Sequence, residues 1–289
     1  MGFNIEKNKV YEMPVFFGPA PIPKNKDEHG KYVLKKPADV EAVTVMFETG
    51  SSQLEALLPE GFSLNAPVLS IAECVFGNLG HFGGNTYTLV NISVPVHYDG
   101  KEEQVDGDLV LAMFENHAEP IIGGRDQLGY SKIYADMTPL IKNGETIRAY
   151  SSSWNFRFLE LCLEPGKPAP NPERMKEIMG LSKGKFNYKY IQSTPYKETP
   201  FGCGGADASY VTFNPKAWEK PADYPYTIME PQTSFCSGTV RFYAPRPDDM
   251  PTYWHIAQYL AKLEIKEYLG AQHSIYNDPC DYSHVYRMR

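Results

Sequence analysis

The stretch from Glu119 to Met137, EPIIGGRDQLGYSKIYADM, holds one lysine, Lys132, in a setting suited to amine chemistry. Tyr130, Ile133 and Tyr134 surround it in a short β-like run, directly after a Gly123-Gly124-Arg125-Asp126 turn. A lysine on a strand among apolar and aromatic side chains is badly solvated, and desolvation disfavours the ammonium form. The neutral amine is the nucleophile that makes imines with carbonyl compounds. An unperturbed lysine, with a pKa of about 10.4, is only about 0.04% neutral at pH 7, so full activation asks for about 4–5 kcal/mol. Burial alone can supply an effect of that size. The plain alternative is a surface lysine on an edge strand, and the local sequence leaves both open. Tyr130, two residues earlier and on the same strand face, is a candidate proton donor or else an aromatic core residue. Arg125 either holds a substrate carboxylate bidentately or belongs to a salt-bridged turn, with Asp126, that fixes the Lys132 strand.

Pro120-Ile121-Ile122-Gly123-Gly124-Arg125-Asp126, followed by Gly129-Tyr130-Ser131-Lys132-Ile133, resembles the hallmark of the acetoacetate decarboxylase-like family. That hallmark runs Pro-Ile-Ala-x-Gly-Arg-Glu and then Phe/Tyr-Pro-Lys-Lys. Leu54 to Phe62 (LEALLPEGF) and Tyr87 to Gly100 (YTLVNISVPVHYDG) resemble a helix-turn and a strand of the same family. The resemblance implies an α+β, mostly antiparallel fold: a cone-like β-barrel with peripheral helices and the imine-forming lysine, here Lys132, inside. It also implies closed homo-oligomers and a cofactor-independent Schiff-base lyase.

The departures narrow the substrate. Ile133 stands where the family's second lysine follows the imine-former. The family's decarboxylase is a known case of a lysine activated beside another cation, so here the burden falls on desolvation. The family's pocket arginine falls on Val40 and its two pocket glutamates on Ala72 and Leu89, while Glu73, next to the first, should face the other way. A polar pocket thereby becomes apolar. The expected reaction is decarboxylation of a β-keto acid bulkier or less polar than acetoacetate, such as a secondary-metabolite keto acid. Aldol or dehydratase chemistry through the same imine is the alternative, and a non-covalent cyclase, isomerase or ligand-binding barrel is the third.

Composition bounds the remaining classes. With 28 basic against 35 acidic residues the net charge is −7, which argues against a nucleic-acid partner, since that needs a basic footprint. No 18-residue apolar run suggests a membrane span, and the first residues lack the apolar stretch of a secretion signal. Five cysteines at unpaired spacings read as reduced thiols of a cytoplasmic protein. Seven histidines include no HxH, HExxH or His-Cys spacing, so no metal is expected. The expected partner is a small keto acid or ketone.

Twenty tyrosines and 15 phenylalanines, alongside 23 glycines and 24 prolines, suggest many short strands. Residues 1–39, Pro- and Lys-rich, read as an extended arm, and 40–289 as one domain. Strands are expected at Ala42–Thr49, Val68–Phe76, Tyr87–Tyr98, Asp108–Glu115, Lys132–Met137, within Glu145–Leu163, and at Phe186–Gln192, Ala208–Phe213 and Ser234–Tyr243. On Tyr87–Tyr98, Val90, Ile92, Val94 and Val96 form a core row. Tyr87, Leu89, Asn91 and Ser93 form the other, which makes Asn91 a candidate polar contact of the cavity. The glycine-rich loop Gly77–Asn85 is a turn or a pocket lid. The stretch Glu164–Gly180 combines a Pro-rich loop with a short helix, and helical spacing of Ile256, Tyr259, Leu260 and Leu263 predicts a helix over Thr252–Leu269 ending at Gly270.

Overall fold

The computed structural model describes residues 4–7, 9–20, 35–200, 204–216, 220–222 and 224–289. Alternation of apolar and polar side chains builds most of it into strands. In chain order these are β1 (Ala38–Glu48), β2 (Phe62–Leu64), β3 (Val68–Leu79), β4 (Asn85–Asp99), β5 (Gln104–Glu115), β6 (Lys132–Tyr134), β7 (Asp136–Met137) and β8 (Ile141–Asn143). They continue with β9 (Thr146–Ser153), β10 (Phe156–Glu164), β11 (Gly184–Gln192), β12 (Ala206–Pro215), β13 (Gln232–Phe242), β14 (Glu267–Asp278) and β15 (Tyr286–Arg287). Among the described residues, four α-helices are peripheral: α1 (Ser51–Glu55), α2 (Ala118–Gly123), α3 (Pro172–Leu181) and α4 (Trp254–Ala261).

The strands join in the order β15-β12-β11-β5-β4-β3-β1-β14-β13-β10-β9-β7, with β2 on β4, β6 on β5 and β8 on β9. Pairing is antiparallel except where β11 and β6 run parallel to β5. This is the expected mostly antiparallel α+β fold, but the sheet is not closed into a barrel.

The two faces of β1, β3 and β4 bury different things. One carries Val43, Val45, Ile71, Val90, Ile92, Val94 and Val96 into the main core with Phe47, Phe114 and Phe158. The other carries Val40, Ala42, Phe76, Tyr87 and Leu89 into a second cluster with Met113, Leu128 and Tyr130. The row of valines and isoleucines expected to pack inward on β4 therefore does so.

Two expectations from the sequence need correction. The helix expected over Thr252–Leu269 stops at Ala261, and the chain turns into β14 at Glu267. β14 pairs with β1 along its whole length and with β13, and that non-local pairing overrides helical spacing. Gly270, expected as a helix stop, sits instead within β14 at φ +136°, where β1 shifts register between Met46 and Phe47. β1 also starts at Ala38, so the expected boundary after residue 39 falls inside the first strand. Of the expected arm, residues 1–3, 8 and 21–34 lie outside the described residues. The described cysteines, Cys74, Cys162, Cys236 and Cys280, are free thiols, and Cys203 lies outside the described residues.

Candidate active site

Lys132 reaches its place through a parallel crossover. Parallel strands need a connection of about a dozen residues or more, usually helical. Here α2 and a π-helical turn, Gly124–Leu128, carry the chain from the end of β5 back to β6. Gly129, at φ +78°, reverses it; a Cβ there would lie 2.8 Å from Lys189 Cβ. β6 then lies beside the last residues of β5, pairing Lys132 with Met113 and Ile133 with Phe114.

Side-chain phase on β5 decides what Lys132 meets. Ser93 pairs with Val110 but Ile92 with Ala112, so Leu111 is an extra, bulged residue. A bulge shifts the alternation of faces. Before it, Val110 faces the second cluster; after it, Met113 does, and Ala112 and Phe114 face the main core. Glu115, two residues past Met113, is thereby turned to the face of Lys132.

Lys132 is 6% exposed and Glu115 0%. The Lys132 Nζ lies 2.8 Å from Glu115 Oε1 and donates a hydrogen bond to the Pro120 carbonyl of α2 at 3.0 Å. The contact with Glu115 is a charge contact off the line of a hydrogen bond, and neither Glu115 oxygen has another partner among the described residues. Burial pushes the Glu115 carboxyl upward, and the Lys132 ammonium opposes the shift. Gly124 makes room for the amine, since a Cβ there would lie 2.5 Å from Lys132 Cδ and 2.9 Å from Nζ. The Tyr130 ring lies 5.5 Å from Nζ.

The amine opens onto a cavity of about 460 Å3. Its walls are largely apolar: Leu79, Phe82, Tyr87, Ile122, Leu128 and Tyr282. Leu79, His81 and Phe82 come from the glycine-rich loop, so that loop is part of the wall. Burial lowers the His81 pKa, with Lys35 adding to the shift. Glu12, Glu119 and Cys280 also line the cavity.

The other residues singled out in the sequence are placed as follows. Tyr130 is buried beside Lys132, but its hydroxyl accepts a hydrogen bond from Asn214 Nδ2 at 2.7 Å, and burial pushes its pKa up. Val40 and Leu89 lie in the second apolar cluster on the lysine's side of the sheet, with Leu89 directly across from Glu115. Asn91 and Ala72, paired with each other, line a neighbouring trough of about 570 Å3. Asn91 Nδ2 donates to Ser93 Oγ at 3.3 Å, and its Oδ1 is buried without a partner among the described residues. Ile133 does not join them, because the next residue on a strand faces the opposite way; it packs in the main core. Arg125 is exposed and outside the cavity lining, and its guanidinium donates to the Lys132 carbonyl at 2.7 Å. It holds the strand and does not line the cavity.

Sequence reasoning did not find Glu115, Glu12 or Tyr282. Glu115 ended an otherwise apolar strand whose phase depends on a bulge. Glu12 lies in a segment without periodicity.

Known proteins resemble this chain in sequence and in fold. Residues 19–223 match the family described as Acetoacetate decarboxylase (ADC). An acetoacetate decarboxylase of Burkholderia vietnamiensis is 25% identical over 150 residues, covering 49% of this chain and 55% of that protein. The match thus spans about half the length of the curated relative. Among solved structures, the acetoacetate decarboxylase of Legionella pneumophila has a TM-score of 0.59 at 16% identity, covering 89% of this chain and 91% of that one. The enduracididine biosynthesis enzyme MppR, complexed with the condensation product of pyruvate and imidazole 4-carboxaldehyde, has a TM-score of 0.55 at 13% identity, covering 88% and 90%.

Proposed function

The chain belongs to the acetoacetate decarboxylase family, and we propose that it is a lyase working through an imine on Lys132. The observation that carries this reading is the buried Lys132 amine at the wall of an apolar cavity, 2.8 Å from the Glu115 carboxylate. A substrate carbonyl entering the cavity displaces water, and a charge pair then stands in poorly solvating surroundings. One ammonium proton passes to Glu115, which burial makes the better base. The amine adds to the carbonyl carbon, and the carbinolamine loses water with the proton returned by Glu115. The product is a protonated imine beside a carboxylate.

That cation accepts the electron pair of a neighbouring bond. With a β-keto acid the bond is the one to the carboxylate, so CO2 leaves and an enamine remains. Apolar walls disfavour the charged carboxylate more than neutral CO2, which favours this step. The enamine takes a proton on carbon, and hydrolysis frees the ketone and restores the amine. The size and lining of the cavity fit a β-keto acid with an apolar chain.

One observation favours a second reaction on the same imine. Besides Lys132, no lysine or arginine lines the cavity among the described residues, while Glu12 and Glu119 do. A substrate that keeps its carboxylate finds no cation other than the amine, so an uncharged ketone condensing with an aldehyde is the alternative. Incubation with a medium-chain β-keto acid and borohydride separates the two. Decarboxylation gives CO2 and an adduct with the mass of the derived methyl ketone. The condensation reading gives no CO2 and an adduct only with ketone or ketone plus aldehyde. A non-covalent binder gives no adduct at all.

A further inference from the structure

The enamine needs a proton donor that can reach carbon, and Glu115 is set behind the lysine, away from the cavity wall. The hydroxyl of Tyr130 is engaged by Asn214. Among the ionisable wall groups, Tyr87, Tyr282 and Cys280 are made weaker acids by burial, and Glu119 is exposed. Glu12 differs from all of these. It comes from the N-terminal segment, whose residues 10–20 are closed into a loop by a hydrogen bond from Ala20 N to Val10 O at 2.9 Å.

Two contacts seat the Glu12 carboxyl. The Gln127 side-chain amide donates to Oε1, leaving the second oxygen for a proton. Oε1 also lies against Gly123, 3.1 Å from where a Cβ would stand. The Lys132 amine lies against the next residue, Gly124, at 2.9 Å by the same measure. Carboxyl and amine therefore rest on consecutive glycines of one helical turn and open onto one cavity. This gives the Gly-Gly pair of the sequence motif two separate tasks. Position 12 also precedes the stretch from residue 19 that matches the family.

We propose that Glu12 is a further catalytic group of this site, giving its proton to the enamine carbon and taking one back from the imine in the reverse direction. The inference rests on the imine reading. In the forward step the enamine π pair takes the Glu12 proton, a C–H bond forms, the nitrogen becomes iminium, and Glu12 is left as carboxylate. Solvent water reprotonates it before the next turnover. Burial raises the Glu12 carboxyl, the Gln127 bond opposes this, and nearby Asp126 adds to it. Glu119, His81, Lys132, Tyr87, Tyr282 and Cys280 are the other titratable groups around the same cavity.

The test uses methyl hexyl ketone in D2O with the full-length protein and the E12Q and E12D variants. The Gln127 amide can rotate to keep a hydrogen bond with the substituted side chain. Borohydride labelling of Lys132 by the ketone should be the same in all three proteins. Exchange of the ketone's α-hydrogens, followed by NMR, should fall by about 10²–10⁴-fold in E12Q and recover in part in E12D. Unchanged exchange in E12Q with labelling intact overturns the Glu12 assignment and leaves the imine standing. Loss of labelling and exchange together in E12Q also overturns it, since Glu12 would then act before the imine. Failure of the wild-type protein to label overturns both.

Discussion

Glu115 and Glu73 are both wholly buried, and they lie across from consecutive residues of one strand: Glu115 opposite Leu89, Glu73 opposite Val90. Consecutive residues face opposite sides of a sheet, and the two carboxyls meet opposite fates. Glu115 has a lysine ammonium at 2.8 Å with a cavity beyond it. Glu73 points into the main core, where neither oxygen has a partner among the described residues, and burial raises its pKa to about 9. A buried carboxyl is therefore not itself a functional signal in this protein. What separates the two is a lysine partner and the cavity beside it.

Substitutions at each position can break or sharpen that contrast. The largest effect is expected from Lys132→Arg, which keeps a cation beside Glu115 but cannot form an imine. Adduct formation and turnover should vanish while the thermal unfolding midpoint changes little. Glu115→Gln comes next. With no base to take the ammonium proton, the rate of borohydride-trappable adduct should drop by about 10²–10⁴-fold; an unchanged rate would reduce Glu115 to a structural counter-ion. Gly124→Ala should follow. The added methyl collides with the flexible end of Lys132, so the lysine moves rather than the backbone. A misplacement of about 1 Å can cost about 10²-fold in rate, with stability nearly unaffected.

The smallest effect on activity belongs to Glu73, where the consequence concerns stability alone. The folded carboxyl titrates at about 9 against 4.5 for the free group. Between those values the folded state keeps a proton that the unfolded state has released. Stability therefore falls as pH rises through this window, by up to about 1.4 kcal/mol per pH unit. Glu73→Gln should match the wild type near pH 4.5 and become progressively more stable above it, with activity unchanged. Urea denaturation at several pH values reads this directly, and parallel stability curves would contradict it.

Much of the fold was legible because alternation reports which face a strand buries. The valine and isoleucine row of β4 and the turning of Glu73 away from the Ala72 side of the sheet follow from that rule alone. It failed where long-range pairing or local irregularity intervened. β14 was hidden because helical spacing in α4 was extended past its end, and only its pairing with β1 shows where the helix gives way. Lys132 was legible from its motif, whereas Glu115 was not, since the bulge at Leu111 sets its face and a bulge leaves no mark in an apolar strand. Ile133 was placed at the pocket by likeness to a lysine pair, although strand alternation already pointed it away. Arg125 illustrates the same limit: its residue type fits carboxylate binding, but its position makes it a clamp on the Lys132 carbonyl.

The central claim is that Lys132 forms an imine, and the direct measurement is peptide-resolved mass spectrometry after borohydride reduction with a medium-chain methyl ketone. The account predicts a single adduct on Lys132, absent without borohydride and absent in Lys132→Arg. A turnover-competent protein with no adduct at Lys132, or with the adduct on another lysine, would contradict it.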